Sequence, residues 1–579
     1  MSGGWLSARA GLVLLCLALW SAPRDAAAAI TSSGEVTPDP VTANNPSSEL
    51  RIGVGNDPED VDPRARVTVD GGSVLEYDQV FVGYDEGFFG RLLVSGAGTA
   101  VEFNDGGANS DVAVEVGRRG NGYFALTEGA TLNLSSTSSD MAIGRNSGSI
   151  GEVLIDGADT FATLGEDVLV GVSGDGKLTV SGGALMRTTR SGSVVTLGVS
   201  AGSSGLMIVD GQFTTFQSGH HFNVGGSGVG ELHISNGGLV DADNTSTAQA
   251  TVGVLGRLYL SDGTLDVRDL DVAGYLGGHG VVRGQVDVAT TGDVEVNPGQ
   301  RLDFNNTFNN AGAVTVTGGE LRLLGANSNA ATGRYTLEYG TVRFAANLTN
   351  DGVIASADGV NNIHGEVTNN GNVVVASETV AVFNDAYTDN GTTTVLARGN
   401  ALFLSDLTFT SASQLALGLS TDEGSAAAAQ VEVAGAATLA GELMLNFEPG
   451  FDYGVSQSIE LLYADGGISG AFVPPVFPTV QGVDFGLNYG ANSLTLDVTV
   501  DPNNLLDGDF NFDGVVDAAD YTVWRDGLGT TFGPGDYDIW RANYGATANS
   551  GVASPTAAPS PSGLVCLLAA GVCVALRRR

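Results

Sequence analysis

Cysteine is nearly missing from this sequence: Cys16, Cys566 and Cys573 all fall in terminal apolar segments. A disulfide framework is therefore excluded, and the body of the chain must be held by burial. Lysine is rarer still, with Lys177 alone, and 25 basic residues stand against 65 acidic ones. A net charge of −40 is repelled by phosphate backbones and anionic lipid surfaces, so nucleic acid is excluded as a partner class. Aromatic residues make up 7% of the chain, and Trp524 and Trp540, half of its tryptophans, lie close together near the C-terminus. A carbohydrate-binding module needs aromatic platforms gathered on one face, and few aromatics are available to build them.

Glycine, with 85 residues, is what the chain has in abundance, and it is placed periodically. Between residues 80 and 275 one phrase recurs, as in "VEVGRRGNGYFALTEGATLNL" and "VLVGVSGDGKLTVSGGALM". An apolar pair leads to a Gly, a polar turn, three alternating apolar residues and a second Gly. The first glycines are Gly117, Gly144, Gly171, Gly198 and Gly225, 27 residues apart four times running, with less regular extensions at Gly83, Gly253 and Gly274. A fixed period of this length is the mark of a solenoid. The short alternating segments predict strands, two or three per coil, with the glycines supplying positive φ at the corners. From 290 to 400 the period shortens: "FNNAGAVTV", "LTNDGVIAS", "VTNNGNVVV" and "YTDNGTTTV" put Gly312, Gly352, Gly371 and Gly391 in register, with Gly333 between. Tight Asn-x-Gly corners predict smaller rungs and a turn ladder of Asn309, Asn350, Asn369 and Asp389. Residues 401–500 keep strand patterning without the period, which predicts a cap over the last rung.

These phrases are similar to the type V secretion and PEP-CTERM-associated repeat shared by autotransporter passengers and PEP-CTERM proteins. The expected fold is all-β: a long right-handed parallel β-helix with a β-rich cap. A small α-helical module and a C-terminal hydrophobic tail are expected to follow. The expected boundaries are 30–79 for an N-terminal cap and first strands, 80–289 and 290–400 for the two repeat arrays, 401–500 for the cap, 501–547 for the module and 548–562 for a Pro/Ala/Ser linker.

The module begins with "DGDFNFDGVVDAAD". Counting Asp509 as position 1 puts Asn511 at 3, Asp513 at 5, Gly514 at 6, Val515 at 7, Asp517 at 9 and Asp520 at 12. A hard cation wants carboxylate or amide oxygens at 1, 3, 5 and 12, a backbone carbonyl at 7 and glycine at 6 for the sharp turn. Asp509, Asn511, Asp513, Val515, Asp517 and Asp520 are accordingly candidate Ca2+ ligands, with Asp520 where an EF-hand has Glu. "ADYTVWRDGLG" recurs as "GDYDIWRANYG" sixteen residues later, and each copy suits a short amphipathic helix. The pair resembles the dockerin type I repeat in the form common in planctomycete-like secreted proteins, and the resemblance implies a cohesin-like partner. In the second copy Arg525, Gly527, Gly529 and Gly533 fall on ligand positions, so one ion is expected.

Both termini read as addresses. Residues 1–29 combine Arg9, an apolar run and the A-x-A pattern of Ala27 and Ala29, which predicts a secretory signal peptide. Residues 563–579 end in fourteen apolar residues and Arg577–Arg579; as a helix the apolar run spans about 21 Å, short of a bilayer core of ~30 Å. The pattern resembles the PEP-CTERM sorting tail, with Pro559-Ser560-Pro561 where that family has Pro-Glu-Pro. The resemblance implies processing by an exosortase-type enzyme, with membrane contact through the tail before processing; a plain tail anchor is the alternative. Export to the cell surface, outer envelope or extracellular space is the expected localisation.

Other features suit bland readings better. "GVSGDGK" (171–177) has the spacing of a phosphate loop but Leu178 where Ser or Thr must hold magnesium. His220, His221 and His233 lack zinc-ligand spacing. Asp262, Asp266, Asp269 and Asp271 with Arg268 would serve a pectin lyase-like chemistry, yet they alternate with apolar residues as a solvated strand face does. "GNDPEDVDPR" near Asp57 reads as an acidic turn. No convergent catalytic set is evident, so no cofactor other than calcium and no catalytic residue is expected. The expected function is a non-catalytic surface or matrix protein, adhesin-like, with surface polysaccharide as a partner class; the alternative is a secreted polysaccharide-processing enzyme.

Overall fold

The computed structural model describes residues 29–38, 41, 44–55, 64–103, 112–134, 140–242, 249–422, 425–449, 451–501 and 506–547. The signal segment before Ala29, the acidic turn at Asp57, the linker and the sorting tail lie outside the described residues. The chain forms two compact units: a larger one running to Phe451 and including Ile459–Val476 and Leu487–Leu496, and a smaller one of Asp452–Ser458, Phe477–Gly486 and the residues from Asp497.

The larger unit is a parallel β-solenoid. Each coil contributes one strand to each of three sheets, and each strand pairs in parallel with its counterpart one coil away. Along the first sheet Asn121–Thr127, Ile150–Asp156, Asp175–Ser181, Ser204–Asp210 and Val229–Ser235 pair in turn. Their side chains alternate buried and open, with Val153, Ile155, Leu178, Val180, Met207 and Val209 fully buried. Period-2 patterning therefore aims one apolar row from every sheet into a single axial core.

The corner between the third and first sheets is made from glycine. Gly117, Gly144, Gly171, Gly198 and Gly225 all have positive φ, as their spacing predicts. At 67° to 79° this is the left-handed region, where a side chain is strained. A second glycine ladder faces them: Gly122, Gly151, Gly176, Gly205, Gly230 and Gly256 stack in register. A Cβ on Gly176 would lie 2.2 Å from Gly171 N, so backbone packs directly on backbone there.

In the second array the corner works differently. Gly352, Gly371 and Gly391 are outside the positive-φ set; a Cβ on each would stand 2.2 Å from the carbonyl oxygen of the glycine one coil below. Those glycines serve close approach rather than backbone hand. The predicted turn ladder exists with one correction. Asn310, not Asn309, begins it, and Asn329 continues it. Asn310, Asn329, Asn350 and Asn369 each donate Nδ2 to the next side chain's Oδ1, at 2.9, 2.6, 2.7 and 2.9 Å. All are fully buried. Asn309 points outward, donating to Asp287 and accepting from Ser328, because a one-residue step along a strand reverses the face.

The ladder ends on Asp389, where Phe409 occupies the next register position and offers no acceptor. An acceptor-only side chain fits there: Asp389 accepts from Asn369, from Gly391 N and from the Thr393 hydroxyl, and Tyr387 Oη shares the Thr393 contact at 2.8 Å. Burial pushes the Asp389 carboxyl above its ordinary value, against the hydrogen bonds it accepts from Thr393, Gly391 and Asn369.

Rungs continue past residue 400, so the closing segment is shorter than its lost period suggests. Gln414–Asp422, Gln430–Val433 and Ala437–Leu439 form one coil, and Glu442–Phe447, Gln457–Ala464 and Ile468–Gly470 another. The period fails because an antiparallel hairpin to Ser425–Ala428 interrupts the first of these. Ala464 N and Ile468 N donate to Asn492 O and Ala491 O, covering later edges. Beside the first sheet, Val473 adds a single bridge to Glu442 before Pro474 and Pro475, which have no N–H to extend the pairing.

A carboxyl held above its unfolded value makes the folded state the tighter proton binder, so its contribution to stability falls as pH rises through that range. Asp389→Asn keeps an acceptor for Asn369 and Gly391 and offers Thr393 a donor in exchange. The variant is expected to match the wild type at acid pH and to melt higher at pH 7, read by circular dichroism. An unchanged pH dependence would remove the buried charge from the account.

Candidate calcium loop and the solenoid faces

Helix α1 (Ala518–Asp526) and helix α2 (Asp536–Asn543) occupy the predicted tandem copies. Asp517 caps α1: its side chain accepts from Ala519 N at 2.6 Å, while Asp520 accepts from Asp517 N at 2.7 Å, a reciprocal capping box. The loop before the helix turns through Phe512 and Gly514, both at positive φ. Gly514 is where the calcium spacing requires it.

Four of the six predicted ligand residues converge through loop amides. Asp509 accepts from Asp513 N at 3.1 Å and Gly514 N at 2.8 Å; Asp520 accepts from Asn511 N at 3.0 Å; Asp513 accepts from Val515 N at 2.9 Å and from Asn511 Nδ2 at 2.9 Å. Asp509 and Asp520 are buried. Asp517 instead faces its own helix start, and Val515 stands partly exposed with its backbone bridged to Thr547. In this arrangement the carboxylates turn onto the loop, and no trio of His, Cys, Asp or Glu side chains among the described residues closes to metal-ligand range. The site is nonetheless short of positive charge. Burial pushes the Asp509 carboxyl above its ordinary value, and the Asp520 and Asp513 charges add to the effect against hydrogen bonds from Gly514 and Asp513 N–H. A divalent cation would supply the missing charge and take the oxygens that now accept amides.

The two copies clasp each other through their tryptophans. Trp540 of α2 donates Nε1 to Asp517 O at 2.7 Å, and Trp524 of α1 donates Nε1 to Gly533 O at 3.1 Å. Asp517 and Gly533 stand three residues before the equivalent Asp520 and Asp536, and each tryptophan four residues after, so the exchange is symmetric. Helical spacing alone does not reveal this exchange; the signal for it is the equal offset of Trp524 and Trp540 from Asp520 and Asp536. In the second loop Phe532 meets Phe510 with ring centroids 4.8 Å apart and a tilt of 49°. Tyr521, Trp524, Tyr537 and Trp540, all half-buried, pack ring against ring between the helices, and the exposed Tyr544 leans on Trp540. Its compact unit also takes in Tyr453, against Phe512, and Gln481, whose N donates to Phe512 O at 3.2 Å.

Elsewhere the tempting residues separate. Lys177 lies in a strand and pairs with Glu152 at 2.8 Å. The rings of His220 and His221 meet edge to face, and His233 contacts Glu231 and Tyr259 instead. The aspartates at 262–271 are spread around one coil, Gly256–Val272. Asp262 meets His279 at 2.9 Å, Asp266 pairs with Arg283 at 3.0 Å, Asp269 lies 3.4 Å from Arg268, and Asp271 accepts from Gln249 at 2.6 Å. They belong to different sheets and do not converge on one groove.

No family model matches the chain, and no curated protein matches it. Among solved structures it is similar to the crystal structure of a TibC-catalysed hyper-glycosylated TibA fragment, with a TM-score of 0.29 and 14% identity over 74% of this chain and 97% of that one.

Trp540→Phe keeps the aromatic core and removes one donor to the loop carbonyl of Asp517. It is expected to destabilise the smaller unit by about 1 kcal/mol and leave the solenoid transition in place, measured by calorimetry on the whole chain. An unchanged smaller unit would show that the clasp carries no stability.

Proposed function

We propose that the protein is an exported, non-catalytic surface or matrix protein, adhesin-like in character. Its solenoid supplies reach and a repetitive face, and its C-terminal module folds around one calcium ion. The observation that carries this reading is the dispersal of acidic side chains over all three faces of a regular solenoid. General acid–base chemistry needs two titratable groups converging on one bond, whereas Asp262, Asp266, Asp269 and Asp271 are each engaged with a different neighbour. A strongly acidic, lysine-poor surface supports a solvated life outside the cell, as do the signal-like residues 1–29 and the sorting-like residues 563–579.

Asp509, Asn511, Asp513 and Asp520 with the Val515 carbonyl and Asp517 would hold the ion. The buried, charge-starved Asp509 supports this assignment. Bound calcium would supply positive charge that fixes the loop on α1 and, through the Trp540 donor, on α2. A cohesin-like protein or a surface polysaccharide is the partner class, and a cohesin-like partner would meet a pair with one ligand-bearing half.

Two measurements test the reading. Calcium is expected to raise the melting of the smaller unit, Asp509→Ala to abolish that rise, and the solenoid transition to stay put in both; a shift of the whole protein would make the module a structural cap instead. Intact cells expressing the full chain should expose it to protease, and the secreted chain should release no reducing sugar from a polysaccharide panel. Cytoplasmic retention or substantial sugar release would overturn the surface-protein reading.

A further inference from the structure

At the junction of the two arrays lie the rungs Gly256–Val272 and Tyr275–Val288. Their outward rows on the first sheet carry side chains unlike those on either side. In the rows below, Lys177, Thr179, Leu206 and Ile208 face out; in the row above, Ala313 and Thr315 do. Between them, register brings His233 beside Tyr259 and Arg257 beside Tyr275. The His233 and Tyr259 rings stand 4.8 Å apart and the Tyr259 and Tyr275 rings 5.2 Å apart. The tilts of 47° and 44° turn the three rings into a curved strip.

Gly277 explains why the strip is open. A Cβ at this position would lie 2.4 Å from Tyr275 Oη, so the tyrosine reaches along its own rung over a bare stretch of backbone. Its hydroxyl donates to Glu295 Oε2 at 2.9 Å, which pins the ring there. Burial and that hydrogen bond hold the phenol protonated far above its ordinary range. Carboxylates flank the rings: Glu231 beside His233, and Asp293 and Glu295 beyond Tyr275. Arg257 is exposed in the same row.

We infer that the strip His233–Tyr259–Tyr275, flanked by Glu231, Asp293 and Glu295, binds a neutral hydroxyl-rich glycan chain laid along the solenoid. Ring faces take the C–H faces of sugar rings, since polarised C–H groups meet the negative face of the aromatic quadrupole. Carboxylates beside those rings accept sugar hydroxyls by charge-assisted hydrogen bonds. Three carboxylates against Arg257 leave the patch negative, which disfavours a uronate-bearing chain and favours an uncharged one. Cross-strand pairing of rings would also stabilise a sheet without any ligand, so the test separates binding from stability. This inference rests on the proposed extracellular role and names the ligand class and its place.

The experiment is affinity electrophoresis of the secreted chain in gels containing neutral glucans, mannans or xylans, or uronate polymers. Retardation by at least one neutral polymer is expected, weakened about tenfold or more in Tyr259→Ala and unchanged in Phe161→Ala, an exposed ring on another face. Melting of Tyr259→Ala is checked by circular dichroism to exclude unfolding. No retardation by any neutral polymer, or equal retardation of Tyr259→Ala, overturns the site. Retention by uronate polymers alone, lost in Arg257→Gln, overturns the assignment of a neutral chain. A protein that fails here yet stays exposed on intact cells leaves the surface-protein reading standing without this site.

Discussion

The interaction on which everything else depends is the parallel pairing of one coil with the next, and the corners that force it into register. A solenoid coil cannot bury its apolar face alone, so its stability is made at the joint between coils. Where Gly171 meets Ser204 and Gly205, there is no room for a Cβ, and the backbone of one coil rests on the backbone of the next. Where Asn350 sits between Asn329 and Asn369, each amide is donor to one neighbour and acceptor from the other. A slip of one residue would put an apolar row into water and leave those amides unpaired in a dry interior, which costs about 1–3 kcal/mol for each orphaned group.

The period, the strand class and the glycine corners were legible in the sequence because all three follow from spacing. The inward Asn ladder was legible only to within one residue. Asn309 and Asn310 are chemically alike, and a period of two assigns them to opposite faces, so phase rather than composition decides between them. Asn329 lay outside the repeated Asn-x-Gly phrase and was invisible to a motif search. The second glycine ladder, Gly122 to Gly256, was hidden inside what read as a polar turn. Sequence also placed the tight turn at Gly514 and both helices, yet the reciprocal tryptophan clasp is a relation between the copies. The clustering of Tyr259 and Tyr275 is a third case: sixteen residues apart and off the main period, they become neighbours only because the rung between them is short.

Charge is the constraint that the fold manages along its whole length. With 65 acidic residues, a parallel stack risks setting like charges directly above one another, as happens where Asp271 and Asp287 share a row and the burial of Asp271, with Asp287 beside it, raises its carboxyl. Amides and a scarce arginine sit at such points: Gln249 and Gln285 donate to Asp271 and Asp287, and Arg283 pairs with Asp266, which stacks on Asp241. In the loop Asp509–Asp520 the answer is the backbone itself: Asp509 accepts from Asp513 and Gly514 amides, and Asp520 from those of Asn511 and Asp517.

The change of period around Gly253 joins these themes. Below it the corner glycines take positive φ; at Gly253 and Gly274 they do not, and a Cβ there would instead strike the carbonyl of the glycine beneath, at 2.2 and 2.1 Å. Once the corner no longer needs a left-handed residue, the turn around it can shrink, and a coil closes in the fourteen residues of Tyr275–Val288. A shorter coil has fewer outward positions, so the side chains it does present lie closer together and meet those of the coils on either side. Tyr275 can then lie over Gly277 and reach Glu295 one rung away. The aromatic strip is thus a consequence of the corner geometry: the same substitution of close approach for backbone hand that lets the solenoid narrow also sets the Tyr259 and Tyr275 rings side by side on the first sheet.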